Sequence, residues 1–155
     1  MLPGAHLTDK QQTIWGMLLK DHSKAEIGRR LGVTRQAIHE AESIVLGKVE
    51  QALSQAAESG MIEARYIDPR KGILLGLNPS TGRRVIITFS TRNGVQTWHY
   101  EEPNCATCNW TERCRGRLLD EAEERDVQLS PEEKRLPPSR LAHIIFSRVI
   151  PGLTP

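Results

Sequence analysis

Apolar residues recur at helical spacing through the first third of the chain, separated by polar and charged positions. Thr8 is expected to cap a first helix. In that helix Ile14, Leu18 and Trp15 lie at spacings that turn them toward the next two helices. The pattern therefore predicts a helical unit at the start of the chain.

Two helices joined by a tight turn are predicted next. Ser23, with Glu26 three residues later, indicates a capping box at the start of the first of them. Gly28 is small where another helix would have to cross closely, and Gly32 is the residue type that a left-handed turn favours. Thr34 is then expected to cap the following helix.

This following helix has one apolar and one polar face. Ala37, Ile38 and Ala41 are expected to point inward, which leaves the polar side chains between them facing outward. Arginine, glutamine and histidine carry the donors and acceptors that read base edges in a major groove. The alternative is an ordinary helical hairpin with a solvated polar face. The predicted DNA-contacting residues are Lys24, Thr34, Arg35, Gln36, His39 and Glu40.

The segment from Leu7 to Leu53 resembles known helix-turn-helix modules. Two stretches carry the resemblance, LTDKQQTIWGMLL and SKAEIGRRLGVTRQAIHEAE. They are similar to LuxR-type and sigma-factor region-4-type modules and to the archaeal Tfx family of DNA-binding proteins. The resemblance covers about a third of the chain. It implies binding to double-stranded DNA through a recognition helix that begins at Thr34.

The apolar stripe of this helix continues well beyond the part that would read DNA, and Gly60 is expected to end it. Two uses of the extension are open. It forms the seam of a homodimer, which two-fold DNA sites favour, or it packs on the downstream part of its own chain. The stripe comprises Ile44, Val45, Val49, Ala52, Leu53 and Ala56.

From residue 61 the apolar pattern changes to the alternation typical of β-strands. The segments MIEARYI, ILLGLNP, RRVIITFST and VQTWHYE are predicted strands, separated by turn-forming residues. Asn93 and Gly94 lie between two alternating runs, which is a strong hairpin signal. Residues 61–102 are therefore predicted to form a small antiparallel meander that serves as a scaffold.

Three cysteines, Cys105, Cys108 and Cys114, fall within ten consecutive residues. The two residues between Cys105 and Cys108 let a turn direct two thiolates at one ion. The five residues between Cys108 and Cys114 bring the chain back so that a third thiolate can bind the same ion. His99 is the favoured fourth ligand, although His143, an acidic residue, a group from a second protomer or an open coordination position are alternatives. A [4Fe-4S] cluster is preferred to Zn²⁺ because the second close ligand pair of most zinc sites is missing. Unliganded thiols rank third.

The stretch CATCNWTERCRGRLLDEAEE resembles the cluster-binding segment of the WhiB-like regulators. Its cysteine spacing is also similar to that of the FNR regulators and the endonuclease III-type glycosylases. The resemblance implies a [4Fe-4S] cluster followed by a helix, and those families supply a fourth cysteine that this chain lacks. In the helix, Leu118, Leu119 and Ala122 are expected to face inward. The expected polar face comprises Asp120, Glu121, Glu123, Glu124 and Arg125.

Composition limits where the chain works and what it binds. Lys and Arg number 21 against 19 Asp and Glu, a net charge of +2, so DNA affinity would have to come from a local basic face. No apolar run approaches the length of a membrane span and no signal sequence is evident, which favours a cytoplasmic protein. Cytoplasmic thiols in turn favour metal binding over disulfides. The local basic face comprises Lys20, Lys24, Arg29, Arg30 and Arg35.

Together these patterns predict an α+β protein with two domains. Residues 1–59 would form a helix-turn-helix domain with a long connecting helix, and residues 60–155 a small sheet with a cysteine-bound metal site and C-terminal helices, the last capped by Ser139. The predicted function is a transcriptional regulator that binds DNA as a homodimer and senses redox state or oxygen. The alternatives are a DNA-binding protein with a structural zinc site, an iron–sulfur nucleic-acid enzyme, and a protein-interaction adaptor. An enzyme is not expected, because no catalytic constellation or phosphate-binding glycine loop is evident.

Overall fold

The structure, a computed structural model, describes residues 7–100 and 108–153. Within these ranges the chain is α+β, with five α-helices and one four-stranded antiparallel sheet. The helices are α1 (Asp9–Leu19), α2 (Lys24–Leu31), α3 (Arg35–Ser59), α4 (Thr111–Glu124) and α5 (Pro138–Val149). The strands are β1 (Glu63–Asp68), β2 (Ile73–Asn78), β3 (Arg83–Ser90) and β4 (Gly94–His99), which pair in sequence order. The predicted meander is confirmed over the described part of residues 61–102.

Side-chain caps start each of the first three helices. Thr8 Oγ1 accepts from the Gln11 amide at 3.2 Å and Gln11 Oε1 accepts from the Thr8 amide at 3.0 Å, which completes a capping box. Ser23 Oγ caps α2 by accepting from the Glu26 amide at 3.1 Å. The Glu26 carboxylate contacts His22 and Arg30, so the box predicted at Ser23 is present only in its Ser23 half.

Gly32 and Gly28 together allow the tight turn between α2 and α3. Gly32 has a φ of +69°, which favours glycine because a Cβ is strained there. A Cβ at Gly28 would lie 2.8 Å from the Val33 carbonyl oxygen, so the turn closes directly on the backbone of α2. Thr34 Oγ1 then caps α3 by accepting from the Ala37 amide at 3.0 Å.

Helices cover both faces of the sheet. Because side chains alternate along a strand, Val85 and Ile87 face α3 and α1, whereas Ile86 faces α4 and α5. A third, smaller cluster joins the first three helices and consists of Ile14, Leu18, Ile27 and Ile38. The helix α1 thus contributes to two cores, one among the helices and one beneath the sheet.

The long helix α3 packs its apolar stripe on the sheet of its own chain, which decides between the two uses that the sequence left open. Val45, Val49 and Leu53 are fully buried there with Leu74 and Val85. Ile44 was expected in the stripe but is 55% exposed. The predicted domain boundary at residues 59 and 60 therefore falls between two elements that share one core.

Trp15 shares a core cluster with residues of α3, as expected, but this cluster lies against the sheet and not among the first three helices. It is fully buried beneath the sheet, where its ring meets the edge of Phe89 with centroids 5.0 Å apart. Its Nε1 donates to the Pro69 carbonyl at 3.2 Å. Gly72, at a φ of +65°, leaves the space for this ring, because a Cβ there would lie 2.5 Å from Trp15 Cζ2. The tryptophan thus ties α1 to the β1–β2 turn.

Candidate nucleic-acid interface and cysteine segment

The first two turns of α3 present a polar surface. Arg35, Gln36, His39 and Glu40 are exposed, while Ile38 is buried in the small helical core. Gln36 Nε2 lies 3.5 Å from Glu40 Oε1. Three residues were predicted to point inward. Ile38 is buried as predicted and Ala41 is partly buried, whereas the prediction is wrong for Ala37, which is exposed in the first turn of the helix. Thr34, Arg35, Gln36, His39 and Glu40 therefore lie together on one accessible surface.

Lys24 differs from its predicted companions because its charged end lies between helices. Its side chain is 26% exposed. Nζ lies 2.8 Å from His39 Nδ1 and 3.6 Å from Glu42 Oε2. The same Glu42 carboxylate contacts Arg70 of the β1–β2 turn at 3.4 Å through Oε1. A row of four side chains thus runs from the sheet through Glu42 and Lys24 to His39.

The surrounding basic residues divide into paired and unpaired groups. Arg30 Nη2 lies 2.9 Å from Glu26 Oε1, and Lys20 Nζ donates to the Glu123 carbonyl at 2.8 Å. Arg29 and Arg35 are exposed and have no ion-pair partner among residues 7–100 and 108–153. Of the predicted basic face, these two arginines are consequently the most available to bind an anion.

A buried charged cluster lies between α4 and the sheet, where an exposed polar face was predicted. Glu121 and Arg125 form an ion pair with both side chains fully buried, and Thr88 Oγ1 donates to Glu121 Oε1 at 2.7 Å. Burial raises the pKa of Glu121, and the charge of Arg125 opposes that rise. The prediction of a solvated polar face is wrong for Glu121, Glu124 and Arg125, which are buried against the sheet. Hydroxyls of β3 donate to the two carboxylates, and backbone carbonyls accept from Arg125.

Arg125 joins α4 to the turn that supports Trp15. Its guanidinium donates to the carbonyls of Lys71 at 2.7 Å, Gly72 at 3.1 Å and Phe89 at 3.0 Å. Gly72 and Phe89 both lie against the Trp15 ring. The C-terminal end of α4 therefore holds the backbone on which α1 rests.

Glu124 makes a second connection from the same end of α4. Its carboxylate accepts from the hydroxyls of Ser90 at 2.8 Å and Thr91 at 3.0 Å, and from the Arg92 amide at 3.2 Å. Arg92 in turn pairs with Asp120 and Glu123 on α4. The only sequence signal for these contacts was the run of hydroxyl residues at the end of β3, which the strand pattern alone does not explain.

Cys108 and Cys114 lie at the opposite end of α4. Cys105 lies outside the described residues, Cys108 is exposed just before the helix, and Cys114 is half-buried within it. The Trp110 amide donates to Cys108 Sγ at 3.4 Å. In the part of the chain that the structure describes, no three His, Cys, Asp or Glu side chains are grouped as a metal site. The predicted site thus depends on Cys105, which is not described.

His99, the predicted fourth ligand, is the last residue of β4. It pairs with Val85 across β3 and β4, and Val85 faces α3, whereas α4 covers the other face. His143, the other histidine considered, stacks on Tyr100 with ring centroids 4.2 Å apart, and its Nε2 contacts the Tyr100 carbonyl. The identity of the fourth ligand stays a prediction, because Cys105 lies outside the described residues.

Comparison with known proteins identifies no relative: no family model, curated protein or solved structure matches this chain. Among the described residues, no helix is both long and apolar enough to cross a membrane.

Proposed function

We propose that this protein binds double-stranded DNA and regulates transcription, with α2 and α3 acting as a helix-turn-helix and α3 as the recognition helix. The observation that carries the proposal is the exposed polar start of α3, held on a separate helical core of Ile14, Leu18, Ile27 and Ile38. A packed core with a projecting polar helix end is what insertion into a major groove requires. An unpaired Arg29 beside it supplies positive charge toward phosphates.

The residue types at this end of α3 suit base recognition. Arg35 is exposed without an ion-pair partner among the described residues, and arginine most often contacts guanine O6 and N7. Gln36 and Glu40 offer groups that pair with adenine and cytosine edges. Thr34 uses its oxygen to cap the helix, so its hydroxyl hydrogen is left for a phosphate.

We extend the proposal to a homodimer on a two-fold DNA site. The stripe of α3 is occupied by the sheet, so the dimer contact would use another surface. Ile44 is an exposed apolar residue of α3 that follows the recognition turns in sequence. A dimer contact could cover this side chain.

The DNA-binding proposal is tested by selection from a random pool of DNA duplexes, followed by affinity measurements at several salt concentrations. The expected result is enrichment of one sequence, with an affinity that falls steeply as salt rises. Failure to enrich any sequence, or binding to a protein partner that ignores salt, would favour the adaptor alternative.

The second part of the proposal is that Cys105, Cys108 and Cys114 bind a metal, with a [4Fe-4S] cluster favoured over Zn²⁺. The backbone amide directed at Cys108 Sγ fits a metal-bound thiolate. A bound cluster would supply a redox-active group, whereas zinc would only stabilise the segment. Because of the strand register of His99, we leave the fourth ligand to a solvent molecule, an acidic side chain or a second protomer.

The position of the cysteines on α4 supports a sensing role. One end of α4 carries Cys114, and the other holds the carbonyls of Gly72 and Phe89 against which Trp15 of α1 packs. A change at the cysteines that moves α4 would therefore reach the helical unit through buried contacts, as a two-state coupling requires. Iron, sulfide and zinc analysis of protein purified without oxygen tests this part. About four irons per chain would support the cluster, and one zinc per chain would leave the structural alternative.

A further inference from the structure

The contact between Lys24 and His39 determines which nitrogen of the imidazole carries the hydrogen. Lys24 Nζ lies 2.8 Å from His39 Nδ1. An ammonium group has only donors, so His39 Nδ1 must be the acceptor and the ring hydrogen must lie on Nε2. His39 is exposed, and its Nε2 has no hydrogen-bond partner among the described residues. The ring therefore presents one N–H donor outward and no acceptor.

Lys24 is itself held in place by Glu42. The Glu42 side chain is only 12% exposed, and its buried Oε2 has no hydrogen-bond partner in the described chain, so the Lys24 charge at 3.6 Å is what compensates it there. If the Lys24 side chain rotated outward to contact a phosphate, the buried Glu42 oxygen would lose its compensating charge. Arg70 contacts the other carboxylate oxygen and stays on the sheet side. Lys24 is thus held by contacts to Glu42 and His39 of α3.

We infer that Lys24 is a positioning residue, not a phosphate contact, and that it fixes His39 as an N–H donor that reads hydrogen-bond acceptors on base edges. This inference rests on the proposed DNA-binding function. In the major groove guanine presents two acceptors, whereas cytosine presents an amino donor. With Nδ1 occupied by Lys24, His39 favours guanine and disfavours cytosine at the base pair it meets.

Nitrogen NMR of the imidazole tests the first half of the inference without DNA. Long-range ¹H–¹⁵N spectra at about pH 8, above the ordinary titration range of imidazole, should show His39 protonated on Nε2, with the Nδ1 resonance displaced by hydrogen bonding. Lys24→Met should remove that displacement, and Lys24→Arg, which keeps a pure donor, should preserve it. Lys20→Met removes an exposed lysine directly after α1 and serves as the matched control, with no change expected at His39. A hydrogen on Nδ1, or a resonance unaffected by Lys24→Met, would overturn the inference.

The salt dependence of DNA binding tests the second half. Each phosphate contact that is lost lowers the slope of log affinity against log salt by about 0.9. Lys24→Met should leave this slope unchanged and reduce discrimination between guanine and cytosine, whereas Arg29→Ala should lower the slope. His39→Gln, which keeps an outward N–H, should retain more of the guanine preference than His39→Ala.

The outcomes separate this inference from the proposed function. A slope lowered by about 0.9 in Lys24→Met would make Lys24 a phosphate contact and refute the positioning role. If the protein bound no DNA, the proposed function would fail and base reading by His39 would fail with it. The NMR result would still decide whether Lys24 sets the tautomer. Circular dichroism of Lys24→Met, compared with Lys24→Arg, verifies that both variants are folded.

Discussion

Replacement of Arg125 by methionine should destabilise the fold in a way that depends strongly on pH. Arg125 and Glu121 are both fully buried, so the variant leaves a carboxylate without its compensating charge. Breaking a buried ion pair on one side costs about 3–5 kcal/mol of unfolding free energy. The carbonyls of Lys71, Gly72 and Phe89 also lose a donor. We therefore expect a loss in that range at about pH 7.

The pH dependence follows from the pKa of Glu121. Burial already raises this pKa, and Arg125 opposes the rise, so loss of Arg125 raises it further. The folded variant then binds the proton more tightly than the unfolded chain, whose glutamate titrates at about 4.3. Its stability is fully present below that value and falls as pH rises toward the folded-state pKa, by up to about 1.36 kcal/mol per pH unit.

Urea unfolding followed by circular dichroism, at about pH 4.5 and about pH 7, measures the effect. The difference between wild type and Arg125→Met should be several kcal/mol at the higher pH and should shrink at the lower one to the cost of the unpaired carbonyls, about 1–3 kcal/mol. Adding Glu121→Gln to the variant removes the titrating group and should remove the pH dependence. A difference that is equal at both pH values would refute the reasoning.

Three further predictions test other parts of the structure. Gly72→Ala should destabilise the fold by about 1–3 kcal/mol in thermal unfolding beyond Gly82→Ala, since both residues have positive φ but only Gly72 lies against Trp15; equal losses would contradict this contact. Thr34→Ala should cost about 0.5–2 kcal/mol by the same measurement, and Thr34→Ser, which keeps the capping oxygen, should cost less. Cys108→Ser should abolish metal loading in elemental analysis, whereas His99→Ala should leave it unchanged because His99 faces the other side of the sheet; loss of metal in His99→Ala would restore that histidine as a ligand.

Most features that depend on neighbouring residues could be predicted from the sequence. The cap predicted at Ser139 is wrong, because α5 already begins at Pro138 and has no side-chain cap. The caps at Thr8, Ser23 and Thr34 and the turn at Gly32 each follow from a local hydrogen bond or a single backbone angle. The strands were also predictable, because their alternating pattern and the Asn93-Gly94 turn act over a few residues.

Features that depend on distant partners could not be predicted in the same way. Glu121 and Thr88 are 33 residues apart. Nothing in the helical pattern of α4 indicates that a hydroxyl of β3 donates to this carboxylate. The sequence predicts that Lys24 contacts DNA as part of a local basic face, because the pattern of α2 does not show its neighbours. Its position follows from Glu42, whose own burial depends on the sheet and Arg70.

The central claim is that the start of α3 reads DNA, and the affinity of Arg35→Ala for the selected duplex tests it most directly. Arg140→Ala is the matched control, because Arg140 is an exposed arginine on α5, away from the proposed interface. Fluorescence anisotropy at one salt concentration should show Arg35→Ala weakened by about 5- to 150-fold, which corresponds to about 1–3 kcal/mol for one base contact. Arg140→Ala should bind as wild type does. Wild-type affinity in Arg35→Ala, or equal losses in both variants, would contradict the claim.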